Sequence, residues 1–115
     1  MTQWNEQVAI VTGAGSGIGH GLSHALASRG VTVVACDINP ERIEATQKEI
    51  EAAGGKAAGV TLDVTDADAV AAVVRDTHER HGRIDYIFNN AGIAVGGEVR
   101  DVELEDWQKV LKVNL

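Results

Sequence analysis

Cysteine, proline and aromatic side chains are nearly missing from these 115 residues, which hold one Cys, one Pro, two Trp, one Tyr and one Phe. A single cysteine, Cys36, excludes an internal disulfide. Its place at the end of the apolar run Val31-Thr32-Val33-Val34-Ala35-Cys36 makes it a small core residue rather than a reactive thiol. Positive charge is short as well: 10 Lys and Arg against 17 Asp and Glu leave a net charge of −7. That balance argues against nucleic acid or an anionic membrane as partner. It also repels anionic cofactors at long range, so any phosphate site has to work through local backbone N–H groups. No apolar run approaches the roughly 20 residues of a membrane span, and Met1-Thr2-Gln3-Trp4-Asn5-Glu6 carries no basic segment of a secretory signal. A soluble, cytoplasmic protein is the expectation. Apolar content of 44% and charged content of 23% are ordinary for a globular chain, and the length suits one domain over 1–115 with a modest core.

Glycine, in contrast, is plentiful, and of the four glycines in Thr12-Gly13-Ala14-Gly15-Ser16-Gly17-Ile18-Gly19 three, Gly13, Gly17 and Gly19, stand at the spacing G-x-x-x-G-x-G. The apolar run Val8-Ala9-Ile10-Val11 ahead of this stretch reads as a buried strand, and Ile18, Leu22, Ala25 and Leu26 behind it have the spacing of an amphipathic helix. Strand, glycine turn and helix form the context of a phosphate-binding loop. Gly13 permits the tight exit from the strand, Gly17 keeps side-chain bulk away from an approaching pyrophosphate, and Gly19 lets the helix lie close to the sheet. The competing reading is an ordinary strand-to-helix turn.

Further along, Arg29-Gly30 ends the first helix and Val31–Cys36 forms a second strand with Asp37 at its carboxyl end. Asn39 as N-cap and Pro40 at the first helical position open a second helix through about Glu51, with Ile43 and Ile50 inward, before Ala53-Gly54-Gly55 stops it. Lys56–Leu62 is a weaker third strand, and Thr65-Asp66-Ala67-Asp68 resembles a capping box for a third helix closing at Gly82. Ile84–Phe88 is the fourth strand, and Leu104, Trp107, Val110 and Leu111 suggest a last helix after the Gly96-Gly97 loop. The alternation predicts an α/β fold, a Rossmann-type, doubly wound parallel sheet of order 3-2-1-4, with the ligand at the carboxyl ends where the order reverses.

Asp37 can accept bonds from both adenosine ribose hydroxyls and would repel a 2′-phosphate, and no Arg or Lys occupies Ser16 or Ile38 to counter it. NAD(H) is therefore expected over NADP(H). The alternative is a solvated aspartate that starts an Asx-turn ahead of Pro40. Asn89-Asn90-Ala91-Gly92 places small residues and amides after a central strand, where backbone can approach a ligand closely. No metal site is read. His20/His24 and His78/His81 are paired at helical spacing, but without an acidic or cysteine ligand at a recognised spacing they read as solvated positions. Glu98, Asp101, Glu103, Glu105 and Asp106 read as a solvated helix start.

Thr12–Gly19 and Asn89–Gly92 resemble the T-G-x-x-x-G-[I/L]-G and N-N-A-G motifs of the short-chain dehydrogenase/reductase family, and Asp37 and Asp63-Val64 fall between them in the family's order. The resemblance covers the whole chain. It implies a nicotinamide cofactor held by Gly13, Ser16, Gly17, Ile18, Gly19, Asp37, Asp63, Val64, Asn90, Ala91 and Gly92, with Asp63-Val64 at the adenine ring. It implies that Asn114 serves the catalytic side by holding a water of the proton relay. It further implies hydride transfer to or from a small-molecule alcohol or carbonyl, and homo-oligomers through the helix that begins near Leu104 and the one after it. The family's acid/base motif Tyr-x-x-x-Lys is missing: the one tyrosine is Tyr86, and Asn90 stands four residues on. The chain is accordingly expected to be an amino-terminal cofactor-binding portion, truncated before the catalytic half and inactive alone, with Ile84–Phe88 left as an association-prone edge. The alternative is a non-catalytic dinucleotide-binding or interaction module.

Overall fold

The computed structural model describes residues 6–90. In chain order the elements are β1 (Val8–Thr12), α1 (Gly17–Ser28), β2 (Thr32–Asp37), α2 (Pro40–Ala52), β3 (Lys56–Thr61), α3 (Ala67–His81) and β4 (Tyr86–Asn89). The four strands form one parallel sheet in the order β3-β2-β1-β4, as the alternation predicts. β1 is central, pairing Ile10 with Val34 of β2 on one side and with Ile87 of β4 on the other.

Strand alternation divides the core between the two faces of the sheet. Val8, Ile10, Val34 and Cys36 pack with Val70, Ala71 and Val74 of α3. Ala9, Val11, Val33 and Ala35 pack with Leu26 and Ala27 of α1 and Ile43 and Ile50 of α2. All five residues of β1 are buried, which is why it reads as a continuous apolar run rather than an alternating one. Each fully buried Val or Ile stabilises by about 1.5–3 kcal/mol relative to exposure, so the two central strands carry much of the fold.

The helix ends follow their local chemistry, with one correction. Asn39 caps α2 by accepting from Arg42 N–H at 3.0 Å, with Pro40 in the first turn as expected. The Gly82 cap of α3 takes the left-handed conformation (φ 75°) and donates to His78 C=O. The α3 N-cap, however, is Asp66, which accepts from Ala69 N–H at 3.1 Å. Thr65 is taken up by Asp63 instead, donating both its N–H and its hydroxyl to that carboxylate.

Two further differences concern faces and edges. Ile18 and Ala25 do not face inward: Ile18 is 82% exposed, and the buried stripe of α1 is Gly19, Ser23, Leu26 and Ala27. Small residues take the inward face because the helix begins hard against the loop that feeds it. The β4 ladder starts at Tyr86, not Ile84, because Asp85 binds β1 with its side chain as well as its backbone. Its carboxylate accepts from Val8 N–H at 2.8 Å, while its N–H donates to Val8 C=O at 2.8 Å and Arg83 holds it in place. At the opposite edge, Gln47 of α2 reaches over β3 and accepts from Gly59 N–H at 2.9 Å. A Cβ on Gly59 would meet that same Gln47 oxygen at 2.8 Å. The last helix expected around Leu104–Leu111 lies outside the described residues.

Candidate functional site

The carboxyl ends of β1, β2 and β3 surround a cleft of about 220 Å³ lined by Gly13, Asp37, Ile38, Leu62, Asp63, Val64 and Thr65. Four residues singled out by sequence, Gly13, Asp37, Asp63 and Val64, are thus brought to one cavity. Two larger depressions lie on the flanks, one between β3 and α3 and one between the carboxyl ends of α1 and α2. Neither holds a residue that the motifs single out.

The loop from Gly13 to Ser16 is fixed from several sides. Ala14 N–H donates to Cys36 C=O at 2.9 Å, and the buried Thr46 hydroxyl of α2 donates to Ala14 C=O at 3.2 Å. Gly15 N–H donates to Asp37 Oδ2 at 2.9 Å. Gly13 and Gly17 adopt positive φ (65° and 60°), the region that glycine enters without strain. A Cβ on Gly19 would lie 2.2 Å from Gly13 C=O, so the first turn of α1 touches the loop backbone directly. The close approach read from the motif as helix against sheet is made to the loop backbone just past β1.

The start of α1 differs from the other helix starts. Ser16, the N-cap residue, makes no side-chain cap, and the first turn has no acidic residue. α2 and α3 have capping side chains, with Glu41 and Asp68 in their first turns. Only α1 among the described helices therefore leaves its first N–H groups and its dipole without an internal anionic or oxygen partner. The residues at this end, Ser16, Gly17 and Ile18, are all exposed.

Asp37 combines the two readings offered for it. It does form the Asx-turn, accepting from Asn39 N–H at 2.9 Å through Oδ1. It is not solvated, however: it is 9% exposed, and its other oxygen holds Gly15 N–H. A carboxylate has about four lone-pair positions, so two remain for a ligand in the cleft. Asp63 is exposed, and its carboxyl is held below the ordinary value of 3.8, first by the Thr65 hydroxyl and then by the Thr65 N–H. Val64 is 8% exposed and packs into the α3-side core.

At the end of β4, the Thr12 hydroxyl accepts from Asn90 N–H at 3.0 Å and lies 3.3 Å from Phe88 C=O and 3.1 Å from Asn89 Oδ1. It ties the asparagine segment to β1. Ala91, Gly92 and Asn114 lie outside the described residues. Sequence reasoning missed two neighbours. Arg42 of α2 has its Cβ 2.8 Å from where a Cβ on Gly15 would stand, so the base of its side chain packs on the loop from a position 27 residues along the chain. Glu49 of α2 meets His20 and His24 of α1. Cys36 behaves as expected: it is fully buried, and burial, with a smaller push from Asp37, raises its thiol pKa to about 12.

The fold agrees with the comparisons to known proteins. The short chain dehydrogenase family model matches residues 7–115. The chain is 40% identical over 109 residues to the 3-oxoacyl-(acyl-carrier-protein) reductase FabG of Thermotoga maritima, covering 95% of this chain and 44% of the relative. A metagenomic short-chain oxidoreductase solved in complex with NADP superposes with a TM-score of 0.75 at 34% identity, over 95% of this chain and 55% of the other. An NAD+-bound xylitol dehydrogenase superposes with a TM-score of 0.75 at 29% identity, over 97% and 48%. This chain belongs to the short-chain dehydrogenase family. It spans less than half the length of the curated relatives it matches, 44%, 41% and 42% for three of them. Among the described residues, no helix is long and apolar enough to cross a membrane.

Proposed function

We propose that this chain is the cofactor-binding portion of an NAD-dependent oxidoreductase that moves a hydride between nicotinamide and a small-molecule alcohol or carbonyl. The observation that carries the cofactor choice is Asp37, a mostly buried carboxylate on the wall of the cleft where β2 ends. In this reading Asp37 accepts from the adenosine ribose hydroxyls and repels a 2′-phosphate. The uncapped N–H groups at Ser16, Gly17 and Ile18 receive the pyrophosphate, with Gly13 and Gly19 shaping the backbone beneath it. Asp63 and Val64 border the adenine, and Asn90, Ala91 and Gly92 lie beside the cofactor. Asn114 belongs to the proton relay on the catalytic side. The bound nicotinamide supplies the hydride chemistry, while the residues of this chain orient it. No Tyr-x-x-x-Lys motif stands among these 115 residues, so cofactor binding rather than the acid/base step is assigned to them. A cytoplasmic setting and assembly through the segment near Leu104 complete the proposal.

NADH and NADPH titrations, read by nicotinamide fluorescence, test the reading. Saturable NADH binding and much weaker NADPH binding are expected. Hydrogen bonds to charged groups contribute about 1.5–3 kcal/mol, so Asp37→Ala weakens NADH by about tenfold or more. Asp37→Asn keeps an acceptor oxygen but loses the charge, and it narrows the gap between the two cofactors. Equal affinity for both cofactors in the unmodified protein would overturn the choice and shift attention to Arg42 as a phosphate partner.

A further inference from the structure

One cluster of metal-ligating side chains lies apart from the cleft. His20 and His24 are one turn apart on α1, so both imidazoles leave the same face of the helix. Their ring centroids are 4.6 Å apart, with the planes tilted by 55°. The neighbouring helix α2 presents Glu49 to both rings, with Oε1 at 2.8 Å from His20 Nε2 and 3.2 Å from His24 Nε2. The three ligand atoms all lie within 4.8 Å of one another. The side chains are 37%, 34% and 53% exposed, so an ion can enter from solvent without any rearrangement of the core.

We propose that His20, His24 and Glu49 form a binding site for a borderline divalent transition-metal ion, Zn2+ above all, joining α1 to α2. Two imidazoles and one carboxylate suit Zn2+, Co2+, Ni2+ or Cu2+, whereas Mg2+ and Ca2+ select all-oxygen sets. Bond lengths of about 2.0–2.2 Å around a tetrahedral Zn2+ place neighbouring ligand atoms roughly 3.3 Å apart. The His24–Glu49 separation of 3.2 Å already meets that, the 2.8 Å of His20–Glu49 opens to it, and the two ring nitrogens, within 4.8 Å of each other, draw in by side-chain rotation. One carboxylate oxygen now faces the two ring nitrogens. With each ring's proton on Nδ1, both Nε2 lone pairs turn to the ion, and water completes the coordination. The clamp lies one turn below the start of α1 and joins the two helices that flank the glycine loop, so it would hold the walls of the cofactor site in register.

The test is calorimetric titration of untagged protein with ZnCl2, alongside Co2+ titration read by its visible absorption and thermal melting with and without Zn2+. One saturable site per chain, a tetrahedral Co2+ spectrum and a raised melting temperature are expected. Loss of an outer partner alone weakens metal binding by about 10–100-fold, so His20→Ala, His24→Ala and Glu49→Gln should each cost about tenfold or more. Glu49→Gln is a near-isosteric change at an exposed position, and circular dichroism confirms that it leaves the fold intact. The double substitution His78→Ala/His81→Ala on α3 should leave binding unchanged. Absence of saturable binding, indifference to Glu49→Gln, or loss of binding on substituting His78 and His81 overturns the proposal.

Discussion

Three glycines within five residues of α1, Gly17, Gly19 and Gly21, predict three different responses to the same added methyl group. At Gly19 a Cβ would stand 2.2 Å from Gly13 C=O and 2.7 Å from the Gly13 carbonyl carbon, roughly 1.2 Å short of the 3.4 Å of ordinary contact. Both obstacles are backbone, in a loop pinned by Cys36, Asp37 and Thr46, so neither can rotate aside. Overpacking typically costs about 1–3 kcal/mol, and a rigid backbone neighbour places Gly19→Ala near the top of that range. At Gly17 nothing lies within 4 Å, but φ is +60°, so the substitution costs about 1–2 kcal/mol in backbone strain alone. At Gly21 nothing lies within 4 Å and φ is not positive, so Gly21→Ala should stabilise by about 1 kcal/mol through helix propensity. In a unit of this size 1 kcal/mol moves the melting temperature by about 4–8 °C. Thermal and denaturant unfolding should therefore rank Gly21→Ala above the unmodified protein, Gly17→Ala below it and Gly19→Ala lowest. Gly19→Ala should also abolish NADH binding in whatever fraction stays folded. A wild-type melting temperature for Gly19→Ala, or equal losses at Gly19 and Gly21, would refute the close-contact argument.

Other expectations concern single groups. Thr12→Val leaves Asn90 N–H without its acceptor and should cost about 0.5–1.5 kcal/mol, while Thr12→Ser should restore most of it; denaturant titration measures both. Burial raises the Cys36 thiol to about 12 from its ordinary 9.0, so at pH 8 the native protein should react with a thiol reagent far more slowly than the unfolded chain. The sign follows from the unfolded chain giving up its proton first: the stability tied to Cys36 is complete below pH 9 and declines as pH rises above it. Rapid labelling of folded protein would show that the site opens. For Asp63 the shift is downward, so its contribution is complete above 3.8 and declines as pH falls below that value. Thr65→Val removes the leading cause and should move the carboxyl titration, followed by NMR, back upward.

The fold was legible because each strand and helix states its period and its ends locally. Val8–Val11 is uniformly apolar because helices cover both faces of the sheet at β1, and Asn39-Pro40 marks a helix start by its own chemistry. The gathering of Asp37, Asp63 and Val64 at one cleft could be anticipated from topology, since parallel strands put their carboxyl ends together. What stayed hidden depended on the rotation of a helix or on partners distant in sequence. The inward face of α1 could not be read from hydrophobicity, because contact with the loop favours Gly19 and Ser23 over Ile18 there. Asp66 displaced Thr65 as cap because Asp63 had already engaged Thr65, a competition among three oxygen-bearing side chains in four residues. Glu49 lies 25 residues beyond His24, so only the packing of α2 on α1 reveals that the two histidines have a carboxylate between them. The identity of the cofactor rests on Asp37 in both readings, but the nearness of Arg42 emerges only in three dimensions.

The amide of Gln47 gives the sheet a direction of growth. Because it occupies the Gly59 N–H, a strand arriving at β3 would lose a rung of its ladder there and would collide with a side chain anchored on α2. Among the described residues β4 pairs only with β1, and nothing comparable guards its other side. Among the described residues, the obstacle to strand addition therefore lies on the β3 side. The cleft at the carboxyl ends, bordered by that blocked edge, keeps its outer wall.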